Sequence, residues 1–480
     1  MFLSSYSGIP LRFDIFFYAI IVPVVPFTLS VRIGVPEEKV QHWVSVTLAV
    51  YAASLLATAP IWGYMADRFR NRKIPMLFGL ILLLAATLCL CFSVNIPMLI
   101  LGRVLQGMSG SMTWAVGLAL VIDTVDSKNV GKAVGWTSTA MTGGILLGPL
   151  TGGVVYDRAG YYPVYAICFG LLAIDIVLRL AIIEVKDAKK WEAKRLEALS
   201  GGALSAPTAD ADARRHSVPT TMASSAISNA EKGNKRNSTS NQPSGTFDLT
   251  GPNGIFGMLR KPRLLAALLG TFVESCIQTS FDATLPLVVE STFHWEAIGA
   301  GLIFLPIIVP TFIGPIVGSL SDRWGPRWFA AGGFLFATPF LVCLRFVTEN
   351  TIQHKIMLCG LLAGAGLGFA MVFAPLMAEI SWAVEEDVEE HEGEPTASPY
   401  AQAYALYTMA FSGGAIAGPL MGGLIRDSAG FGVVGWSMAI LTAVTAVAEA
   451  IWIGGKESPR VKRALSQEVS SETTTASNND

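Results

Sequence analysis

The chain has 480 residues, of which 52% are hydrophobic and 15% charged, with a formal net charge of −2 and a mean hydropathy of +0.51. Soluble domains carry about a quarter charged residues, so this balance excludes a water-soluble globular domain, and a net charge near zero argues against nucleic acid as a partner. What remains is a polytopic helical membrane protein. Its six cysteines (Cys89, Cys91, Cys168, Cys276, Cys343, Cys359) all fall in apolar runs. They read as packing residues rather than as a disulfide or metal framework.

A membrane span needs about 20 apolar residues. Twelve such stretches follow one another, at about 14–33, 43–66, 74–93, 97–122, 131–156, 162–184, 263–289, 298–321, 328–348, 355–383, 400–425 and 433–454. The first contains Asp14, Pro23 and Pro26, and without a clear small-residue cleavage site after it reads as a retained helix. The second ends in GYMADR, with Gly63, Asp67 and Arg68. The fourth opens on GRVLQG, with Arg103 inside the span, and ends near Asp123. A charge at the bilayer centre costs about 3 to 15 kcal/mol, so Asp14 and Arg103 each need a partner, water or a proton, and both are candidates for proton coupling.

The fifth span holds GILLGPLTGG. Gly144, Gly148 and Gly152 are four apart and share one helix face, which lets another backbone approach closely. Gly153 follows, and Pro149 removes a backbone donor and bends the helix. In the sixth span, Asp175 and Arg179 stand at i,i+4 and neutralise each other. The polar stretch from about 186 to 261 is rich in Ser, Thr, Asn, Ala and Gly, and reads as a disordered linker. In the seventh span, Glu274, Gln278 and Asp282 form a stripe on one face, with Cys276 turned away. Such a stripe faces a cavity rather than lipid. Glu274 is a third proton-coupling candidate, Gln278 and Asp282 are cavity candidates, and Asp282 is expected to be the wetter end. Glu379 in the tenth span and Glu449 in the twelfth read as near-interface residues.

The second half repeats the first. GSLSDR, with Asp322 and Arg323, follows GYMADR at an offset of 255, and GAIAGPLMGG, with Gly414, Gly418 and Pro419, follows GILLGPLTGG at an offset of 270. The acidic loop from Glu385 to Pro399 supplies an insertion of about that difference, 15 residues. The domains expected are therefore a six-helix bundle over 1–184, a linker over 185–262, a second bundle over 263–455 and a tail over 456–480. Lys and Arg concentrate in the loops after spans two, four and eight, which puts both termini in the cytosol. Duplicated halves meeting at a midplane site are a transporter architecture.

These residues resemble the major facilitator superfamily. GYMADRFRNRK is similar to that family's loop between helices two and three, GRVLQG to its helix-four arginine motif, and GILLGPLTGG to its helix-five motif of proton-coupled exporters. Asp14, Pro23 and Pro26, together with YALYTMAF around Tyr407 and Thr408, resemble vesicular amine transporters and related drug:proton antiporters. Where those carry a helix-two lysine and a helix-eleven aspartate, this chain has Tyr51 and Thr408. The resemblance implies twelve helices in two pseudo-repeated bundles, alternating access and proton antiport, with Tyr407 and Thr408 at the cavity. It implies Asp67, Arg68, Asp322 and Arg323 as contacts that hold the bundles together.

The expectation is a monomeric secondary transporter that exports small organic molecules for protons, with no enzyme activity, cofactor or metal. Plasma, vacuolar or vesicular membrane all fit. The rival readings are uptake of a nutrient and a transport-dead receptor or scaffold.

Overall fold

The computed structural model describes residues 9–68, 73–124, 130–181, 259–390 and 399–454. The polar linker through residue 258 and the tail lie outside these residues. So do the side chains of Asp67, Arg68, Arg179, Asp322 and Arg323, so the inter-bundle role expected of the four loop residues is not described.

Every regular element among the described residues is helical. The chain runs α1 Ile9–Ile21, α2 Glu37–Arg68, α3 Lys73–Cys91, α4 Ile96–Thr124, α5 Val130–Ala159 and α6 Tyr161–Ala181. The second half runs α7 Pro262–Phe293, a segmented α8 (Ala297–Leu302, Leu305–Ile308, Val309–Ile313 and Gly314–Trp324), α9 Pro326–Cys343, α10 Ile352–Glu390, α11 Pro399–Ala429 and α12 Phe431–Trp452. Eight stretches are long and apolar enough to cross a membrane, and a ninth arises if α1 and its continuation Val25–Ile33 count as one bent span. With α3, apolar over Met76–Cys91, and α4 and α5, of 29 and 30 residues, they make the twelve-span all-α membrane fold. Ile81, Val177, Leu335 and Val444 point outward, as lipid-facing side chains do.

Proline decides where these helices break. Pro23 and Pro26 cannot donate, so Val22 and Val24 turn back to the carbonyls three residues earlier, Ala19 and Ile21. The helix bends there by 51°, and the Thr28 hydroxyl donates to the Val24 carbonyl at 2.9 Å. Pro306, Pro310 and Pro315 segment α8 in the same way. Gly34, Gly160, Gly430 and His294 turn the chain with φ between 55° and 89° at one end of the bundle, and Gly325 at the other. These are the Gly160 end and the Gly325 end.

The duplication seen in the sequence recurs in the packing. α1 packs on α5 as α7 packs on α11, and α3 on α4 as α9 on α10. Between the halves, α2 packs on α11 and α5 on the first piece of α8, again an equivalent pair. The bare glycine faces make these contacts possible. Gly148 lies against Ala19 and Ile20 of α1, and a Cβ at Gly152 would overlap the Ile20 carbonyl. Gly414 and Gly418 lie in the same way on Phe272 and Cys276 of α7. Gly144 is buried on the same face of α5, and Pro149 and Pro419 are carried inside α5 and α11. α10 continues to Glu390, so the acidic insertion begins as an extension of that helix.

Candidate functional site

Four helices from both halves meet around Arg103. Its side chain is fully buried, at 0% exposure. Nη1 donates to Gln106 Oε1 at 3.0 Å, and Gln106 Nε2 donates to the Phe17 carbonyl at 3.1 Å, tying α4 to α1. Nε and Nη2 have no hydrogen-bond acceptor. The guanidinium carbon lies 5.9 Å from the centre of the Tyr18 ring, within cation–π range.

Tyr18 connects that cation to the rest of the site. Its ring packs on Tyr51 of α2 with centroids 4.8 Å apart. Its hydroxyl donates to Asp282 Oδ2 of α7 at 3.0 Å, a bond between the two halves of the chain. Asp14 lies one turn before Tyr18 on α1 and is buried. It faces Gly110 of α4, where a Cβ would stand 3.1 Å from both Asp14 Oδ2 and the Tyr51 hydroxyl. The glycine leaves room for both polar groups beside α4. One permanent cation therefore stands among two buried carboxyls and two tyrosines. With both carboxyls ionised the cluster carries one excess negative charge, and one added proton neutralises it. Such a site can alternate between a proton and another ligand.

The polar stripe of α7 divides between two neighbourhoods. Asp282 belongs to the Arg103 cluster and is buried there rather than wet. Glu274, two turns toward the Gly325 end, is half-buried on the side of α7 where Gly270 meets Glu449 of α12. Gln278 stands half-buried between them. Cys276 is buried against the glycine face of α11. On α11, Tyr407 is buried and stacks on Phe411 at 6.4 Å, with Thr408 half-buried beside it.

Glu379 and Glu449, each near the end of its span, are both fully buried. The start of α7 and the end of α12 close over Glu379, where Arg263 pairs with its two carboxylate oxygens and the Gly454 N–H donates to Oε1 at 3.2 Å. Asp175 is also buried, on α6.

Sequence reasoning passed over a latch at the Gly160 end. Arg426 of α11 donates to Gln41 Oε1 of α2 at 2.9 Å and to the Leu287 carbonyl of α7 at 3.2 Å. Gln41 in turn donates to the Ala283 carbonyl at 3.1 Å. Gly153 lies on the Ala297 carbonyl, Gly301 on that of Pro149, and Gly423 on the Ser45 hydroxyl. Gln41 stands just before the second span read from the sequence, where a polar residue is ordinary, so it carried no signal. Tyr18 had a weak one: it stands at i+4 from Asp14.

The family model of the Major Facilitator Superfamily matches residues 13–387. An uncharacterised MFS-type transporter of Schizosaccharomyces pombe is 35% identical over 436 residues, 90% of each chain. The MFS-type transporter ppzB of Metarhizium rileyi is 32% identical over 456 residues, 92% of each chain. The class B tetracycline resistance protein of Escherichia coli is 24% identical over 351 residues, 72% of this chain and 73% of that one. A buried charged site shared by two repeated halves, a twelve-span helical fold and these relatives agree: the chain is a membrane transporter, not an enzyme, and belongs to the Major Facilitator Superfamily.

Proposed function

We propose that this transporter exports small organic molecules from the cytosol in exchange for protons. The observation that carries the reading is Arg103, buried beside Tyr18 within a cluster that also holds Asp14, Asp282 and Tyr51. A proton on either carboxyl changes the charge of the cluster, so proton and substrate compete for one state of the site. Proton entry down a membrane potential of about 100 mV releases about 2.3 kcal/mol, enough for an accumulation ratio of about fiftyfold. No cofactor is needed, because the gradient supplies the energy.

The two six-helix bundles, 1–184 and 263–455, rock about this centre in a monomer. The distribution of Lys and Arg assigns the Gly160 end to the outside of the cytosol, so the latch there describes a state closed to that side. The relative named for tetracycline resistance supports export and an organic substrate. A plasma membrane location suits export, and a vacuolar or vesicular one suits sequestration.

The test is flux in proteoliposomes with an imposed pH gradient, using tetracycline and the dyes ethidium and rhodamine as probes. Accumulation that collapses when the gradient is dissipated is expected for at least one probe. Asp14→Asn should abolish proton-driven accumulation while counterflow exchange persists. Flux indifferent to the gradient would indicate facilitated diffusion instead, and no flux for any probe would favour a receptor or scaffold.

A further inference from the structure

The site around Arg103 leaves one buried acid unexplained. Glu449 stands one turn before the end of α12, its side chain at 0% exposure. Neither carboxylate oxygen has a hydrogen-bond partner. Its Oε1 lies against the backbone of Gly270 on α7, where a Cβ would overlap it, and Leu376 of α10 closes the same notch. A charged carboxylate without donors in apolar surroundings loses its hydration and gains nothing in return. The neutral acid has a smaller penalty.

The ionisable groups on the surrounding helices sharpen this. On α7, one turn beyond Gly270 and so on the helix face that meets Glu449, stands Glu274. Arg263, at the start of α7, is already matched by Glu379 of α10. Arg327, at the start of α9, packs its stem against Gly454. α11 contributes Tyr407, stacked on Phe411. Among the described residues no cation bonds either oxygen of Glu449. Two neighbouring carboxyls in such surroundings favour sharing one proton over ionising together.

We propose that Glu449 and Glu274 form a second proton-binding site, a carboxyl pair that takes up one proton from water and returns it. The proposal rests on the proton-coupled reading above but concerns a different place. At 1.5 Å per residue, Glu274 lies about 12 Å along α7 from Asp282 and about 16 Å from Arg263. The pair therefore stands between the Arg103 cluster and the Gly325 end, and both its members belong to the second half of the chain.

Infrared difference spectroscopy of the purified full-length protein, with the proton and deuteron as the only probes, tests this without substrate or gradient. The wild type should show the carbonyl stretch of a protonated carboxylic acid that shifts in D₂O and fades as pH is raised. Glu449→Gln should remove that band and move the titration of the Glu274 signal, because the charged neighbour is gone. Glu449→Asp, which keeps a carboxyl, should keep a titrating band and guards against a variant that merely misfolds. Asp14→Asn should leave the band in place, so loss of proton-driven flux and loss of this site are told apart. A spectrum unchanged by Glu449→Gln, or a Glu449 band that does not respond to pH, would overturn the proposal.

Discussion

Tyr18 shows what one side chain does here. Its ring meets the Arg103 cation and packs on Tyr51, and its hydroxyl reaches Asp282 in the other half. Tyr18→Phe keeps both ring contacts and deletes only the donor to Asp282. A buried acceptor stripped of its donor costs about 1–3 kcal/mol. Thermal unfolding of the purified variant should therefore come at a lower temperature than in the wild type. An unchanged midpoint would mean that the bond contributes nothing to stability. Asp14, Arg103 and Asp282 were legible in the sequence because an ionised group in an apolar run is costly and conspicuous. Tyr18 was not, since a tyrosine in a spanning helix costs little. That Glu449 and Glu379 are covered was not legible: distance from a helix end says nothing about which neighbouring helix lies over it, and here α7 lies against both acids.

The elements depend on where glycine removes a side chain. Gly152 and Gly143 lie on the same helix but differ in surroundings: a Cβ at Gly152 would overlap the Ile20 carbonyl, and one at Gly143 would have nothing within 4 Å. Gly152→Ala should push α1 off α5 at a cost of about 1–3 kcal/mol, read as lower thermal stability and weaker transport. Gly143→Ala should match the wild type in both. Equal behaviour of the two variants would mean that α1 and α5 are not held as closely as the structure has them. The repeat of Gly-x-x-x-Gly-Pro made a close approach on α5 and another on α11 legible. The identity of the partner helix was not, because a bare face does not say what lies on it. Prolines gave the bend of α1, whereas the four pieces of α8 follow from Pro306, Pro310 and Pro315 acting within a single apolar run.

At the scale of the molecule, the two halves meet at the Gly160 end through α2 on α11 and α5 on α8. Gly423 rests on the Ser45 hydroxyl there, close enough for a disulfide once both positions carry thiols. In a background without the six native cysteines, Ser45→Cys combined with Gly423→Cys should cross-link under mild oxidation and stop transport. Reduction should restore it. Cross-linking that leaves transport intact would show that this end does not open during the cycle. Twelve spans and their pairing into halves were legible because length and apolarity set them. Which end is closed was not legible, since length and apolarity set the spans and say nothing of how their ends meet.

The chemistry of that closure has a consequence for the medium in which the protein works. Glycine backbones lie on the Ala297 and Pro149 carbonyls, and the hydrogen bonds of Arg426 go to neutral acceptors on Gln41, Leu287 and Ser291. Exposed ion pairs weaken as ionic strength rises, because the screening length falls from about 10 Å at 0.1 M salt to about 3 Å at 1 M. The glycine-on-carbonyl contacts feel no such screening, whereas Arg426 is a cation with Asp427 and Glu290 in its surroundings. Raising the salt around the protein should then loosen the Arg426 part of this closure and leave the packed backbones in place.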